Sequence, residues 1–324
     1  MGSYLVTGGA GYIGSHMVWL LSQYGGKVIT LDNLSTGHRD AVSYGKFIEG
    51  DVGDQAVLDK IFAQEKIDLV FHFASSTSVG ESVTAPDLYY RNNFCETLNL
   101  LEAMARHNVK RLVFSSTAAV YGVPHSNLID EGHDKLPINP YGKTKHFTEE
   151  LIKDFDVAYG VKCIALRYFN AAGAHPDGIL AERHDPETHL IPIALRAALE
   201  SSSKMTINGV DYNTHDGTCI RDYIHVMDLV GAHWLASQKL LSDSVSRVYN
   251  VGSGTGYSVR QVLASIEKVT GKKVKYEVGP RRVGDPAFLV ACSRKLVDDL
   301  GWKPMYSDLD NIVKDAYNSL YSVE

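Results

Sequence analysis

Thr7-Gly8-Gly9-Ala10-Gly11-Tyr12-Ile13-Gly14-Ser15-His16, preceded by the apolar run Tyr4-Leu5-Val6, decides the fold. Gly9, Gly11 and Gly14 fit G-x-G-x-x-G, and Gly8, Gly11 and Gly14 equally fit G-x-x-G-x-x-G. Glycines so spaced permit a tight strand-to-helix turn and let the backbone approach a pyrophosphate. That group then rests on the helix N-terminus, here the turn that begins with Tyr12 and Ile13. A glycine-rich turn without a ligand is common, so its surroundings have to decide. A second strand, Lys27–Leu31, ends in Asp32, close to the spacing at which a carboxylate binds an adenosine ribose diol. A carboxylate there repels a 2′-phosphate, which selects NAD over NADP.

Working outward, strand-like runs alternate with helical ones, as in a doubly wound α/β parallel (Rossmann) sheet. Lys46–Gly50 reads as a strand leading to Asp51 and Val52, placed to meet the adenine. A helix over Gln55–Glu65 leads to the buried strand Asp68–Ala74, where Phe71 and Ala74 are the expected cofactor neighbours. His72, flanked by phenylalanines, reads as a core histidine. A long amphipathic helix over roughly Asp87–His107 carries Asn92 and Asn93 near its start, within reach of the cofactor. Strand Arg111–Phe114 then presents Ser115-Ser116-Thr117 at its carboxyl end, the edge where open α/β sheets bind ligands.

Asn139-Pro140-Tyr141-Gly142-Lys143-Thr144-Lys145 starts a helix that Gly160 stops; Pro140 suits the first turn. Tyr141 and Lys145, four apart, share one helix face. At roughly 6 Å and an effective dielectric near 20, one ammonium is worth about 3 kcal/mol, or about two pK units, to a phenolate. Lys145 is therefore expected to lower the Tyr141 pKa, and a second cation nearby would carry it toward neutrality and make Tyr141 a general base. Downstream, the loop over 171–188 is long enough to suggest function. Helices at Ser258–Thr270, Ser293–Leu300 and Ser307–Tyr321 each have serine near the start. Val248–Gly252 is expected to return to the large sheet. The expected division is an NAD-binding domain over 1–170, also receiving about 225–252, interleaved with a smaller α/β substrate domain over 171–324.

With 324 residues, 44% of them hydrophobic and 22% charged, the chain has ample core for two such halves. A net charge of −6 without a basic stripe argues against nucleic acid. No apolar stretch is long enough to span a bilayer, and the chain enters a strand at once, so neither membrane nor signal peptide is expected. The four cysteines have no CxxC spacing and read as free thiols in a reducing cytoplasm. The histidines show no metal-ligand spacing, so no metal is expected.

The opening glycine turn, Ser115-Ser116-Thr117 and Tyr-x-x-x-Lys resemble those of the extended short-chain dehydrogenase/reductases. Leu31-Asp32-Asn33-Leu34-Ser35-Thr36-Gly37, Arg167-Tyr168-Phe169-Asn170, Gly217–Leu229 and Arg281-Arg282-Val283-Gly284-Asp285 narrow the resemblance to that family's UDP-hexose 4-epimerases, over essentially the whole chain. Thr117 stands where many members have serine, and Thr77 where some have lysine. The resemblance implies bound NAD, with Gly8, Gly11, Tyr12, Ile13, Gly14, Asp32, Asn33 and Tyr168 near it. It implies Tyr141 as base, Lys145 on the nicotinamide ribose and Thr117 at the sugar oxygen. Asn170, Arg221, Arg282 and Asp285 would hold the UDP-sugar, the arginine forks matching phosphate oxygens. The implied reaction interconverts UDP-galactose and UDP-glucose through an enzyme-bound 4-keto-hexose, in a homodimer paired through the helices near Asp87–His107 and Tyr141–Tyr159. A sugar-nucleotide 4,6-dehydratase is the nearest rival, but it is expected to carry Asp-Glu where Ala118-Ala119 stand. A non-catalytic dinucleotide sensor would have no need of Tyr141 and Lys145.

Overall fold

The short apolar runs become strands and the amphipathic runs become the helices between them. The computed structural model describes residues 2–282 and 285–320. In chain order the first elements are β1 (Ser3–Thr7), α1 (Tyr12–Gln23), β2 (Lys27–Asp32), β3 (Lys46–Glu49), α2 (Gln55–Gln64) and β4 (Leu69–His72). Next come α3 (Val79–Thr84), α4 (Pro86–Tyr89), α5 (Glu96–Arg106), β5 (Arg111–Thr117), α6 (Pro140–Tyr159) and β6 (Lys162–Tyr168). The remainder is β7 (Asn170–Ala172), α7 (Leu190–Leu199), β8 (Met205–Asn208), β9 (Ile220–His225), α8 (Val226–Asp243) and β10 (Arg247–Val251). β11 (Gly256–Ser258), α9 (Val259–Thr270), β12 (Tyr276–Gly279), β13 (Phe288–Leu289), α10 (Arg294–Leu300) and α11 (Leu309–Ser319) complete it. The chain divides into two compact units. One is Met1–Gly122, Lys135–Arg167 and Val230–Tyr249; the other is Val123–Asp134, Tyr168–Leu229 and Asn250–Glu324.

The first unit holds a sheet of order β10-β6-β5-β4-β1-β2-β3. β1 pairs in parallel with β2 and β4, β2 with β3, and β4 with β5. The order therefore reverses between β1 and β4, the switch point at which such sheets open a crevice at their carboxyl ends. Leu5, Ile29, Val70, Leu112 and Phe114 fill one face of the sheet. Leu58 and Ile61 of α2, Leu100 and Met104 of α5 and Ile152 of α6 cover it. α6 begins where expected: the Asn139 side chain accepts from Gly142 N–H at 2.8 Å, Pro140 sits in the first turn, and Gly160 ends the helix at φ 69°.

The expected single helix over Asp87–His107 is interrupted by a π-helical stretch, Tyr90–Cys95. The wider turn lets neighbouring Asn92 and Asn93 both accept from Ser76 N–H, each at 2.8 Å, which consecutive residues of an ordinary helix do not do.

In the second unit β9 is the hub. It pairs in parallel with β7 and β13 and antiparallel with β11. A separate ribbon joins β8 and β12 in parallel. Ile191 and Leu195 of α7, Val262 and Ile266 of α9, and Ile312 and Val313 of α11 enclose Ile207 and Tyr223. Asp222 of β9 accepts from Ser253 N–H (2.8 Å), Ser253 Oγ–H (2.7 Å), Gly254 N–H (3.0 Å) and Ala291 N–H (3.1 Å). Burial nevertheless pushes its pKa up to about 6 against these donors. Capping serine is present at α9, where Ser258 and Gln261 form a capping box, whereas Asp308 and not Ser307 caps α11. No helix among the described residues is long and apolar enough to cross a membrane.

Candidate active site

The glycines of the opening turn are there for different reasons. Gly8 has φ 69°, and a Cβ on it would lie 2.5 Å from Ala74 N, just past β4. A Cβ on Gly14 would lie 2.1 Å from Gly8 O. Both are therefore required by packing at the β1/β4 switch. Gly11 is not: its φ is −78° and a Cβ would meet only Gly8 O, at 3.4 Å. What a side chain at 11 would fill is open space beside the N-terminus of α1. That helix has neither a capping side chain nor an acid in its first turn, which suits its N-terminus to an anion. The turn thus fits the pyrophosphate of a dinucleotide.

At the end of β2, Asp32 accepts from Ala10 N–H (2.9 Å) and Leu34 N–H (2.8 Å), which fixes the carboxylate beside the turn. Asn33 donates to Asp51 at 2.9 Å, next to buried Val52. Asn92 accepts from Ser76 and donates to Glu96 at 2.9 Å, so its amide holds the segment that follows β4. Burial and the Asp51 charge push the Glu96 carboxyl up to about 7. Phe71 departs from expectation. It lies inside β4, fully buried, with its ring 5.8 Å from that of Tyr4. Ligands meet the carboxyl end of such a strand, and the residue there is Phe73, whose N–H donates to Thr7 O at 2.9 Å. His72 is a core histidine as expected, held between Thr7 (2.7 Å) and Thr97 (2.9 Å) and taken by burial down to about 3.

α6 and β5 bring Tyr141, Lys145 and Thr117 together. Thr117 lies near enough to the Tyr141 phenol to favour its ionised form, and its hydroxyl accepts from Ala119 N–H at 3.1 Å, fixing the 3₁₀ turn over Ala118–Tyr121. Tyr141 is 8% exposed and Lys145 3%. The electrostatics differ from the sequence expectation. Burial raises the phenol above its ordinary value, Thr117 opposing, and Lys145 does not lower it. The reason is where the ammonium points: Lys145 Nζ donates to Ser115 O at 2.9 Å and lies 4.9 Å over the Phe114 ring. Lys145 itself is taken down by burial to about 7, with Glu149 resisting.

Glu149 was not singled out in the sequence. It lies one turn beyond Lys145 on α6 and accepts from Arg167 Nε at 2.9 Å and Ser116 Oγ at 2.5 Å. Arg167 also reaches the Tyr121 hydroxyl at 2.9 Å. Both charged side chains are all but inaccessible, at 3% for Arg167 and 1% for Glu149. The sequence signal for Glu149 is the i, i+4, i+8 series Tyr141, Lys145, Glu149, while Arg167 opens the Arg167-Tyr168-Phe169-Asn170 stretch.

In the second unit Asn170 donates to Asp222 O at 2.9 Å. Arg221 donates to Ile220 O at 2.7 Å and to the Asp285 carboxylate, so two expected ligands of the substrate are here paired with each other. Asp285 N–H donates to Arg282 O at 3.3 Å, and the Arg282 guanidinium lies 3.1 Å from the Asn208 amide oxygen when that amide is oriented to accept. Tyr168 ends β6, half-buried. Val283 and Gly284 lie outside the described residues.

The profile of the NAD dependent epimerase/dehydratase family matches residues 4–252. A UDP-glucose 4-epimerase of Halalkalibacterium halodurans is 50% identical over 314 residues, 97% of this chain and 94% of that protein. The crystal structure of UDP-glucose 4-epimerase from Brucella ovis in complex with NAD superposes with a TM-score of 0.95 at 47% identity, covering 98% of each chain. That from Bifidobacterium longum in complex with NAD+ and UDP gives 0.94 at 38% identity, over 99% of this chain and 98% of that one.

Proposed function

The chain belongs to the NAD dependent epimerase/dehydratase family, and from that premise we propose that it is an NAD-dependent isomerase interconverting UDP-galactose and UDP-glucose at carbon 4. The observation that carries the reading is the buried grouping of Thr117, Tyr141 and Lys145 at the carboxyl edge of the sheet whose first turn fits a dinucleotide. NAD, when bound, supplies the acceptor and donor of hydride. Tyr141 takes the proton of the sugar 4-hydroxyl and later gives it back, and Thr117 holds the sugar oxygen beside it. Lys145 binds the nicotinamide ribose. Asp32 takes the adenosine ribose diol, and Gly11, Tyr12 and Ile13 face the pyrophosphate. Arg221 and Arg282 bind the UDP diphosphate, with Asp285 and Asn170 orienting the nucleotide and the sugar. The 4-keto sugar must turn over while its UDP stays anchored, so tight nucleotide binding and loose sugar binding go together.

The test follows one atom. Deuterium at carbon 4 of UDP-galactose is expected at carbon 4 of the UDP-glucose formed, without exchange into water, as read by NMR. Label at carbon 6 with loss of water would make the protein a 4,6-dehydratase, and label in free NADH would make it a net dehydrogenase. Either result ends the epimerase reading.

The assembly we propose is a homodimer paired through the helices over 79–107 and α6. Supporting it, Val83, Leu88, Phe147 and Val157 expose 63%, 43%, 44% and 90% of their surface on these helices, an apolar set that association would cover. Light scattering is expected to give twice the 35.6 kDa chain mass; a monomer at micromolar concentration would refute it. Four free thiols fit the cytoplasm as the location.

A further inference from the structure

We propose that the loop between β7 and α7 binds one zinc-type divalent cation on Glu182, His184, Glu187 and His189. The sequence reading expected no metal, finding no metal-ligand spacing among the histidines. The fold of the loop removes that objection. One ligand atom from each of the four side chains lies within 4.8 Å of every other. His189 Nδ1 stands 2.8 Å from Glu182 Oε1 and 3.0 Å from Glu187 Oε1, and His184 Nδ1 stands 3.1 Å from Glu182 Oε1 and 3.9 Å from Glu187 Oε2. A tetrahedral ion with bonds of about 2.0–2.2 Å needs ligand–ligand edges of roughly 3.3–3.6 Å, which these separations bracket.

The chemistry points the same way. Two imidazole nitrogens with two carboxylate oxygens form a borderline set suited to zinc, and four protein ligands make a closed, structural site. The carboxylates are deeply placed, Glu182 with 6% and Glu187 with 2% of the side chain exposed, while His184 and His189 keep 29% and 45%. Two carboxylates so far from water are stabilised by positive charge placed between them. A divalent ion supplies it at one point, whereas protonating both imidazoles would set two cations on rings 5.1 Å apart. Glu187 is also held in place independently of the imidazoles, since the backbone N–H groups of Thr188 and His189 both donate to it at 2.7 Å. The loop over 173–189 has no helix or strand of its own, and an ion tying residues 182–189 together would hold it against α7.

The inference does not depend on the epimerase reading. The full chain, stripped with a chelator and dialysed, is titrated with zinc sulfate in a calorimeter, beside magnesium and calcium as controls. One equivalent per chain is expected, with a thermal midpoint raised by at least about 3 °C at saturating zinc. The conservative variants His189→Gln and Glu182→Gln, checked for native circular dichroism, are expected to lose that equivalent. Cobalt substitution is expected to give the visible bands of a tetrahedral ion in the native chain and not in the variants. Zinc uptake equal in native chain and variants, or no uptake near one equivalent, would overturn the proposal and leave the four residues as an ion-paired cluster. Uptake of magnesium or calcium with equal strength would overturn the assignment to a nitrogen-bearing site.

Discussion

Tyr141→Phe is expected to lower turnover at saturating substrate by about 10²–10⁴-fold, the loss typical of a missing general acid–base group. That factor corresponds to about 2.7–5.5 kcal/mol of activation free energy. The substitution removes one oxygen and leaves the ring, so packing against Tyr89, whose ring centre is 6.4 Å away, survives. The Thr117 hydroxyl still accepts from Ala119 N–H. Burial holds the phenol above its ordinary value in the free chain, so its ionised fraction grows as pH rises. The native chain is therefore expected to gain rate with pH across the neutral range, while the variant stays flat. Turnover near the native level in a variant with unaltered circular dichroism would remove Tyr141 from the base role.

The second large effect is on stability. Arg167→Met is expected to cost about 3–5 kcal/mol, because it leaves the Glu149 carboxylate buried without its cation. Burial works against charge on Arg167, but the hydrogen bonds and field of Glu149 outweigh it and the guanidinium is held above its ordinary range. The double variant Glu149→Leu/Arg167→Met, which removes both charges, is expected to recover most of the loss. Urea unfolding of the native chain, both single variants and the double variant closes the cycle. A single variant within 1 kcal/mol of native, on the scale of an exposed pair, would show that the pair does not carry this weight. The pair also positions the site: Glu149 fixes the rotation of α6, and Ser116 and Tyr121, which share it, flank Thr117 on either side. Loss of turnover in Arg167→Met beyond the fraction unfolded would report that role.

How much of this was legible depended on the range of the interaction involved. The glycine turn, Asp32 after the second strand and the Asn139-Pro140 start of α6 are local rules of backbone and capping, and the structure obeys them. β7, β11 and β13, of two or three residues each, were not visible, because partners on β9 define them and no periodicity of their own does. The π-helical stretch was hidden for a related reason: one extra residue in a turn barely disturbs an apolar pattern. The Tyr141 electrostatics failed differently. Spacing put Lys145 on the same face, but it could not say that the ammonium would turn to Ser115 O or that desolvation would dominate. Glu182, His184, Glu187 and His189 escaped because a loop has no period from which to read convergence.

The Asp222 carboxylate has a bearing on how the second unit comes into being. Its donors, Ser253, Gly254 and Ala291, follow it by 31, 32 and 69 residues, while the Asn170 amide that binds its own carbonyl precedes it by 52. During synthesis β9 leaves the ribosome with one neighbour already made and the others still to come. Until the last of them arrives, burying that carboxylate leaves charge without full compensation, and the strand gains little by committing itself. Contacts so far apart along the chain close late and slowly. The residue that anchors the unit in its finished form thus ties together segments on both sides of it in the chain, and its burial is expected to follow theirs.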